Sequence, residues 1–228
     1  MSTTRLLLIS SSNVHGYGYF DQPEPFLREF LGERRVVAFV PFAASDHAAY
    51  TAKIAERLGR MGFEVVPYDA LDRADAIFVG GGNTFRLLKI LYERNLLDDI
   101  RRRVQGGLSY VGSSAGSVIS SPTIRTTNDM PIVQPPSLDA LGLIPFQLNC
   151  HYLDPDPNST HKGETREERL REFHEENVTP VVGLREGTCL RVDGPRATLV
   201  GGRPARIFRR GESPFEVDPG TRIDEVAR

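Results

Sequence analysis

Short apolar runs alternate with stretches whose apolar residues recur at helical spacing through the first half of the chain. Residues 5–10, 35–41, 63–67, 76–79 and 108–112 read as buried strands, because each is dominated by a short apolar run without regular polar alternation. Between them, Tyr50, Ile54, Leu58 and Met61 fall at i, i+4, i+8 and i+11, which predicts a helix over 46–61 with Asp46 as its N-cap and Gly62 at its end. A helix is predicted from Thr84, with Phe85, Leu88 and Leu91 on one face, another over 95–105, and a small-residue helix from Ser114. Strands without polar alternation, separated by helices, imply an α/β fold with a mostly parallel sheet covered on both faces. In such sheets the working site lies at the carboxyl ends of the strands.

The pattern changes in the second half. Residues 122–150 are rich in Pro, Thr and Asn and read as long ordered loops, and residues 164–175 read as a charged helix. Short strands are expected at 180–184, 188–193, 196–200 and 205–209, separated by turns such as Asp193-Gly194 and Gly201-Gly202. They predict an antiparallel, hairpin-closed finish to the same sheet. Without repeats or a linker, residues 1–228 read as one domain.

Composition narrows the partners. Apolar residues make up 39% and charged residues 25% of the 228, with a formal net charge of −2, so nothing favours nucleic acid or an acidic membrane. Leu6–Ile9 is too short for a secretory or membrane-spanning segment. Cys150 and Cys189 are too few for a disulfide scaffold, and reduced thiols in a cytoplasmic protein are expected.

Two glycine-bearing turns sit at predicted strand ends. Gly112-Ser113-Ser114-Ala115-Gly116 fits G-x-S-x-G between a strand and a helix, the setting of a nucleophile elbow with Ser114 as nucleophile. Gly80-Gly81-Gly82-Asn83-Thr84 lacks the lysine of a phosphate loop at its required place. It reads better as a second backbone donor, the Gly82 N–H facing the Ala115 N–H across an oxyanion. A serine needs a base. Of the five histidines, His151 follows an apolar segment and ends a predicted strand, His161 lies in the loop beyond it, and His174 is expected to face solvent from a charged helix. His15 lies in a Gly/Tyr-rich loop and His47 opens a helix. Two carboxylates can complete the set: Asp129, in the loop Thr126-Thr-Asn-Asp-Met-Pro131, and Glu186, just past the strand 181–184.

Long stretches together resemble the dipeptidase E family of aspartyl dipeptidases: Ala38–Ala43, Phe78–Phe85, Gly112–Gly116, Ser121–Val133, Gln147–His151 and His161–Arg169, in the family's order and over nearly the whole chain. The resemblance implies a domain like that of class I glutamine amidotransferases, with Ser114 as nucleophile and His151 as base. It leaves both Asp129 and Glu186 as claimants for the third position; Glu186, held at a strand end, is preferred. Ser113 and Cys150 depart from the family's usual residues, without removing a chemical group.

The substrate implied is a dipeptide or other small peptide beginning with aspartate. Arg166 would clamp its side-chain carboxylate, with Arg125 as a second choice and Asn83 as a further contact. No cofactor or metal is called for, and a homodimer is left open. A cyanophycinase-like hydrolase, a glutamine amidotransferase and a non-catalytic binding module are the rivals. Ser114 in place of cysteine disfavours the second.

Overall fold

The computed structural model describes residues 4–158, 160 and 162–227, so His161 lies outside the described residues. The first half follows the expected alternation: β1 (Arg5–Ile9), α1 (Glu24–Leu31), β2 (Val36–Val40), α2 (His47–Gly59), β3 (Glu64–Pro67), β4 (Ala76–Val79), α3 (Thr84–Glu93), α4 (Leu97–Gln105), β5 (Ser109–Ser113) and the short α5 (Ala115–Val118). The second half comprises β6 (Gln147–Cys150), α6 (Arg166–Glu176), β7 (Val181–Leu184), β8 (Thr188–Asp193), β9 (Arg196–Gly201), β10 (Ala205–Phe208), β11 (Phe215–Val217) and α7 (Ile223–Val226). Helix α1 escaped the sequence reading, although Leu27, Phe30 and Leu31 have the spacing of a buried helical face.

The main sheet has seven strands in the order β3-β2-β4-β5-β1-β8-β9. Its first five strands pair in parallel, and β8 and β9 close it as an antiparallel hairpin on β1. Each parallel strand sends alternate side chains to opposite faces. Leu6, Leu8, Ala38, Val40, Ile77 and Val79 pack under α3 and α4. Leu7, Ile9, Val37, Phe39, Ala76 and Phe78 pack under α1 and α2. Both faces are apolar, which is why no polar alternation marks these strands.

The expected single sheet is corrected here. Strands β7 and β10 do not extend the main sheet; they join β6 and β11 in a second, four-stranded sheet of order β11-β10-β7-β6. Pairing of β6 with β7 is parallel, that of β7 with β10 and β10 with β11 antiparallel. One face of the small sheet, through Leu148, Val182 and Leu184, joins the core around α5. Tyr152, Val181 and Phe208 pack with Leu170 of α6 on the other. The carboxyl ends of β1, β5, β6 and β7 therefore converge.

Candidate active site

Strand β5 runs into a turn that only small residues permit. A Cβ on Gly112 would lie 2.5 Å from the Gly116 carbonyl oxygen, and one on Gly116 would lie 2.0 Å from the Val79 carbonyl oxygen. Both glycines are needed for α5 to pack against β4 and β5. Ser114 takes φ 51°, ψ −111°, a strained conformation for a residue with a side chain, costing about 1–3 kcal/mol. The turn is clamped in return: Ser114 N donates to Ile9 O (2.9 Å), Ser117 Oγ to the same carbonyl (2.8 Å), and Tyr110 Oη to Gly116 O (2.5 Å).

The Gly80–Gly82 loop lies against this serine. A Cβ on Gly81 would sit 3.2 Å from Ser114 Cβ. Gly81 N donates to Tyr50 Oη (2.9 Å), Asn83 N donates to Ala43 O (2.9 Å), and Gly82 between them has φ +135°. The Gly82 N–H finds no acceptor among the described residues, so it is free toward the cleft that Gly82 lines.

His151 leaves β6 with φ 55°, and its N–H donates to Ser10 Oγ (3.0 Å), which itself donates to Leu184 O (2.8 Å). One hydroxyl thus ties β1 to the ends of β6 and β7. The ring bridges two groups: Nε2 is 2.8 Å from Ser114 Oγ, and Nδ1 is 2.8 Å from Glu186 Oε1. The carboxylate beside the imidazole is Glu186, not Asp129. Asp129 instead accepts, through Oδ2, from Thr84 N (2.7 Å), Thr84 Oγ1 (2.5 Å) and Thr127 Oγ1 (3.3 Å). It still lines the same cleft.

A charged network centred on buried Arg185, beside Glu186 in the chain, had no sequence signal. Arg185, adjacent to Glu186, bonds both oxygens of Asp154 (2.7 and 2.8 Å), both oxygens of Glu216 (2.8 and 2.9 Å) and Pro204 O. Its side chain is 6% exposed. Hydrogen bonds from Arg185 hold the Glu216 and Asp154 carboxyls below their ordinary range, and those bonds, to Glu216 first, raise the guanidinium in turn. Asp154 lies three residues past His151, so the network fastens the loop after the imidazole to the turn that carries the glutamate.

The other predicted contacts divide. Arg166 opens α6, half-buried, beside a depression lined by Leu153–Asp156 and Gly163–Thr165. Desolvation lowers its pKa, Arg169 adds to the lowering, and the Asp129 carboxylate opposes it, so Asp129 and Arg166 lie within electrostatic reach. Asn83 is committed elsewhere: its Oδ1 caps α3 by accepting from Arg86 N (3.0 Å), and its Nδ2 donates to Met130 O (2.8 Å). Arg125 is exposed and lines a separate depression with Phe85 and Phe173. His174 does not face solvent; it is buried, with Nδ1 3.1 Å from Asn177 O. Cys150 is a free thiol, and burial pushes it up to about 12, which makes it inert.

The cleft around Ser114 holds about 500 Å³ and is lined by Ser11–Asn13, Tyr19, Ala44, Tyr50, Lys53, Gly81, Gly82, Asp129 and His151. That volume suits a small molecule, not a folded protein. A largely parallel sheet with a serine–imidazole–carboxylate line at its carboxyl edge is the build of a serine hydrolase. The chain belongs to peptidase family S51, whose model matches residues 6–200. It is 54% identical over 228 residues to "Peptidase E" of Streptomyces coelicolor, covering 97% of this chain and 94% of that one. Identity to the "Probable alpha-aspartyl dipeptidase" of Drosophila melanogaster is 50%, covering 96% and 95%. Among solved structures, a putative peptidase E of Listeria monocytogenes superposes with a TM-score of 0.68 at 25% identity, covering 88% and 99%.

Proposed function

We propose that the chain is a serine dipeptidase that hydrolyses small peptides with an N-terminal aspartate. The reading rests on the unbroken line from Ser114 through His151 to Glu186, with 2.8 Å at each link. In this reading that line is a catalytic triad and the turn at Ser114 a nucleophile elbow. Ser114 Oγ attacks the carbonyl carbon of the aspartyl residue while His151 Nε2 takes the hydroxyl proton. Glu186 fixes the tautomer that leaves Nε2 free to accept and stabilises the imidazolium. The oxyanion is held by the N–H groups of Gly82 and Ala115. His151 then returns its proton to the leaving amine as the C–N bond breaks. Water, deprotonated by the same ring, adds to the acyl-enzyme; cleavage of the ester releases aspartate and restores the serine.

Asp129 and Arg166 are the recognition pair for the aspartyl end. Asp129 receives the free ammonium, and Arg166 the side-chain carboxylate. Site residues come from both sheets, which supports a single peptidase domain over residues 1–228. Two buried free thiols fit a reducing compartment, and the cytoplasm is the proposed location.

A dipeptide panel tests the reading. Wild type should cleave Asp-Leu at least about tenfold faster, in kcat/KM, than Glu-Leu or Leu-Leu. Ser114→Ala should lose about 10³-fold or more in kcat. Equal rates across the panel would overturn the specificity, and an active Ser114→Ala would overturn the nucleophile.

A further inference from the structure

The cleft has two ends, and the proposed function uses only one of them. Ser114 sits at the carboxyl edge of the main sheet. On the α3 side of that edge lie Asp129 and, beyond it, Arg166, the groups assigned to the aspartyl residue. On the opposite side, over the layer packed by α1 and α2, the wall consists of Ser12, Asn13, Tyr19, Tyr50 and Lys53. An aspartyl dipeptide bound with its acyl residue toward Asp129 must direct its leaving residue to this second wall. The leaving residue of a dipeptide ends in a free carboxylate.

Lys53 is the only permanent cation among the cleft's described lining residues. Its ammonium makes no ion pair among the described residues. It lies over the Tyr19 ring, 3.6 Å from the centroid, which orients the charge while leaving its other donors unused. Tyr19 lines the cleft beside Ser12 and Tyr50, and Tyr50 accepts the Gly81 N–H (2.9 Å) in the loop over Ser114. The cation therefore sits at the rim on the Tyr19 ring, on the same wall as Tyr50, which holds the loop over Ser114.

We propose that Lys53, seated on Tyr19, binds the terminal carboxylate of the leaving amino acid and so sets a preference for dipeptides with a free C-terminus. This assignment rests on the aspartyl-dipeptidase reading. A further residue on the substrate would carry that carboxylate about 3.3–3.6 Å onward along the chain, away from Lys53. The interaction sits at an exposed rim, so its expected size is modest and salt-sensitive.

The test compares Asp-Leu with Asp-Leu amide, which share the aspartyl end and the scissile bond. Wild type is expected to favour the free acid about tenfold in kcat/KM at low salt, mainly through KM, with the ratio shrinking as salt rises. In Lys53→Met the ratio should fall to near one, and Lys53→Arg should restore most of it. A wild-type ratio near one, or a Lys53→Met variant that loses equally on both substrates, would overturn the assignment while leaving the aspartyl reading intact. Cleavage of neither substrate by wild type would overturn both.

Discussion

The two sheets fix their parts of the site by different physics. The serine end is held by covalent shape: two glycines with no room for a Cβ, a residue forced to positive φ, and neutral hydrogen bonds to buried carbonyls. The imidazole end is held by charge. Arg185, Asp154 and Glu216 knit the loop after His151 to the turn bearing Glu186 and to β11. Arg206 adds a second link, to Glu167 (2.8 Å) and Glu216 (2.9 Å). The first mode is indifferent to pH and salt and intolerant of added atoms. The second tolerates changes of shape and is sensitive to proton concentration.

The largest expected break is at the serine end. Gly116→Ala places a methyl 2.0 Å from a backbone oxygen that cannot rotate aside, and should cost more than about 4 kcal/mol, read as loss of a cooperative thermal transition or of soluble protein. Next comes the imidazole's partner. Glu186→Gln should lower kcat about 10²–10⁴-fold with little change in KM, by loss of imidazolium stabilisation and tautomer control. Asp129→Asn should instead raise KM with kcat nearly kept, since its Oδ2 caps α3 and does not reach the ring. A collapse of kcat in Asp129→Asn with Glu186→Gln unaffected would exchange their roles.

Breaking the charged end should cost less. Arg185→Met leaves Asp154 and Glu216 facing each other without their cation. Because both carboxylates are partly in water, 48% and 40% exposed, the loss should be about 2–4 kcal/mol, a fall of roughly 4–16 °C in Tm for a chain of this size. The smallest effect is the pH response. The Asp154 and Glu216 carboxyls have folded-state pKa values depressed by Arg185. Their contribution is fully present above the ordinary carboxyl range near pH 4 and is lost as pH falls through the depressed values. Chemical-denaturation midpoints of wild type should therefore drop below about pH 4, and the Arg185→Met variant should drop less steeply.

The same division governs what could be read in advance. The turns at Ser114 and in the glycine loop were legible because the chemistry that shapes them is local, a few residues long. His151 and Glu186 were legible as strand ends. The second sheet was not. Strands of only four residues, such as β7 and β10, carry no mark of which sheet will accept them, and the parallel pairing of β6 with β7 joins segments about thirty residues apart. The Arg185 network was invisible for a related reason, since its members are scattered from Asp154 to Glu216 and each alone is an ordinary charged residue. His174 had a usable signal that the charge of its helix masked. It stands four residues after Leu170, on the same buried face, with its ring edge-on to Phe173.

Strand β1 lies between β5 and β8, so it waits for a strand made far later in the chain to complete its pairing. Ser114, His151 and Glu186 emerge in that order. The Ser10 hydroxyl can fasten them only once the chain has passed Leu184. On the proposed triad, a chain made only as far as Ser114 carries the serine without its base, and peptide cleavage waits until synthesis has passed Glu186.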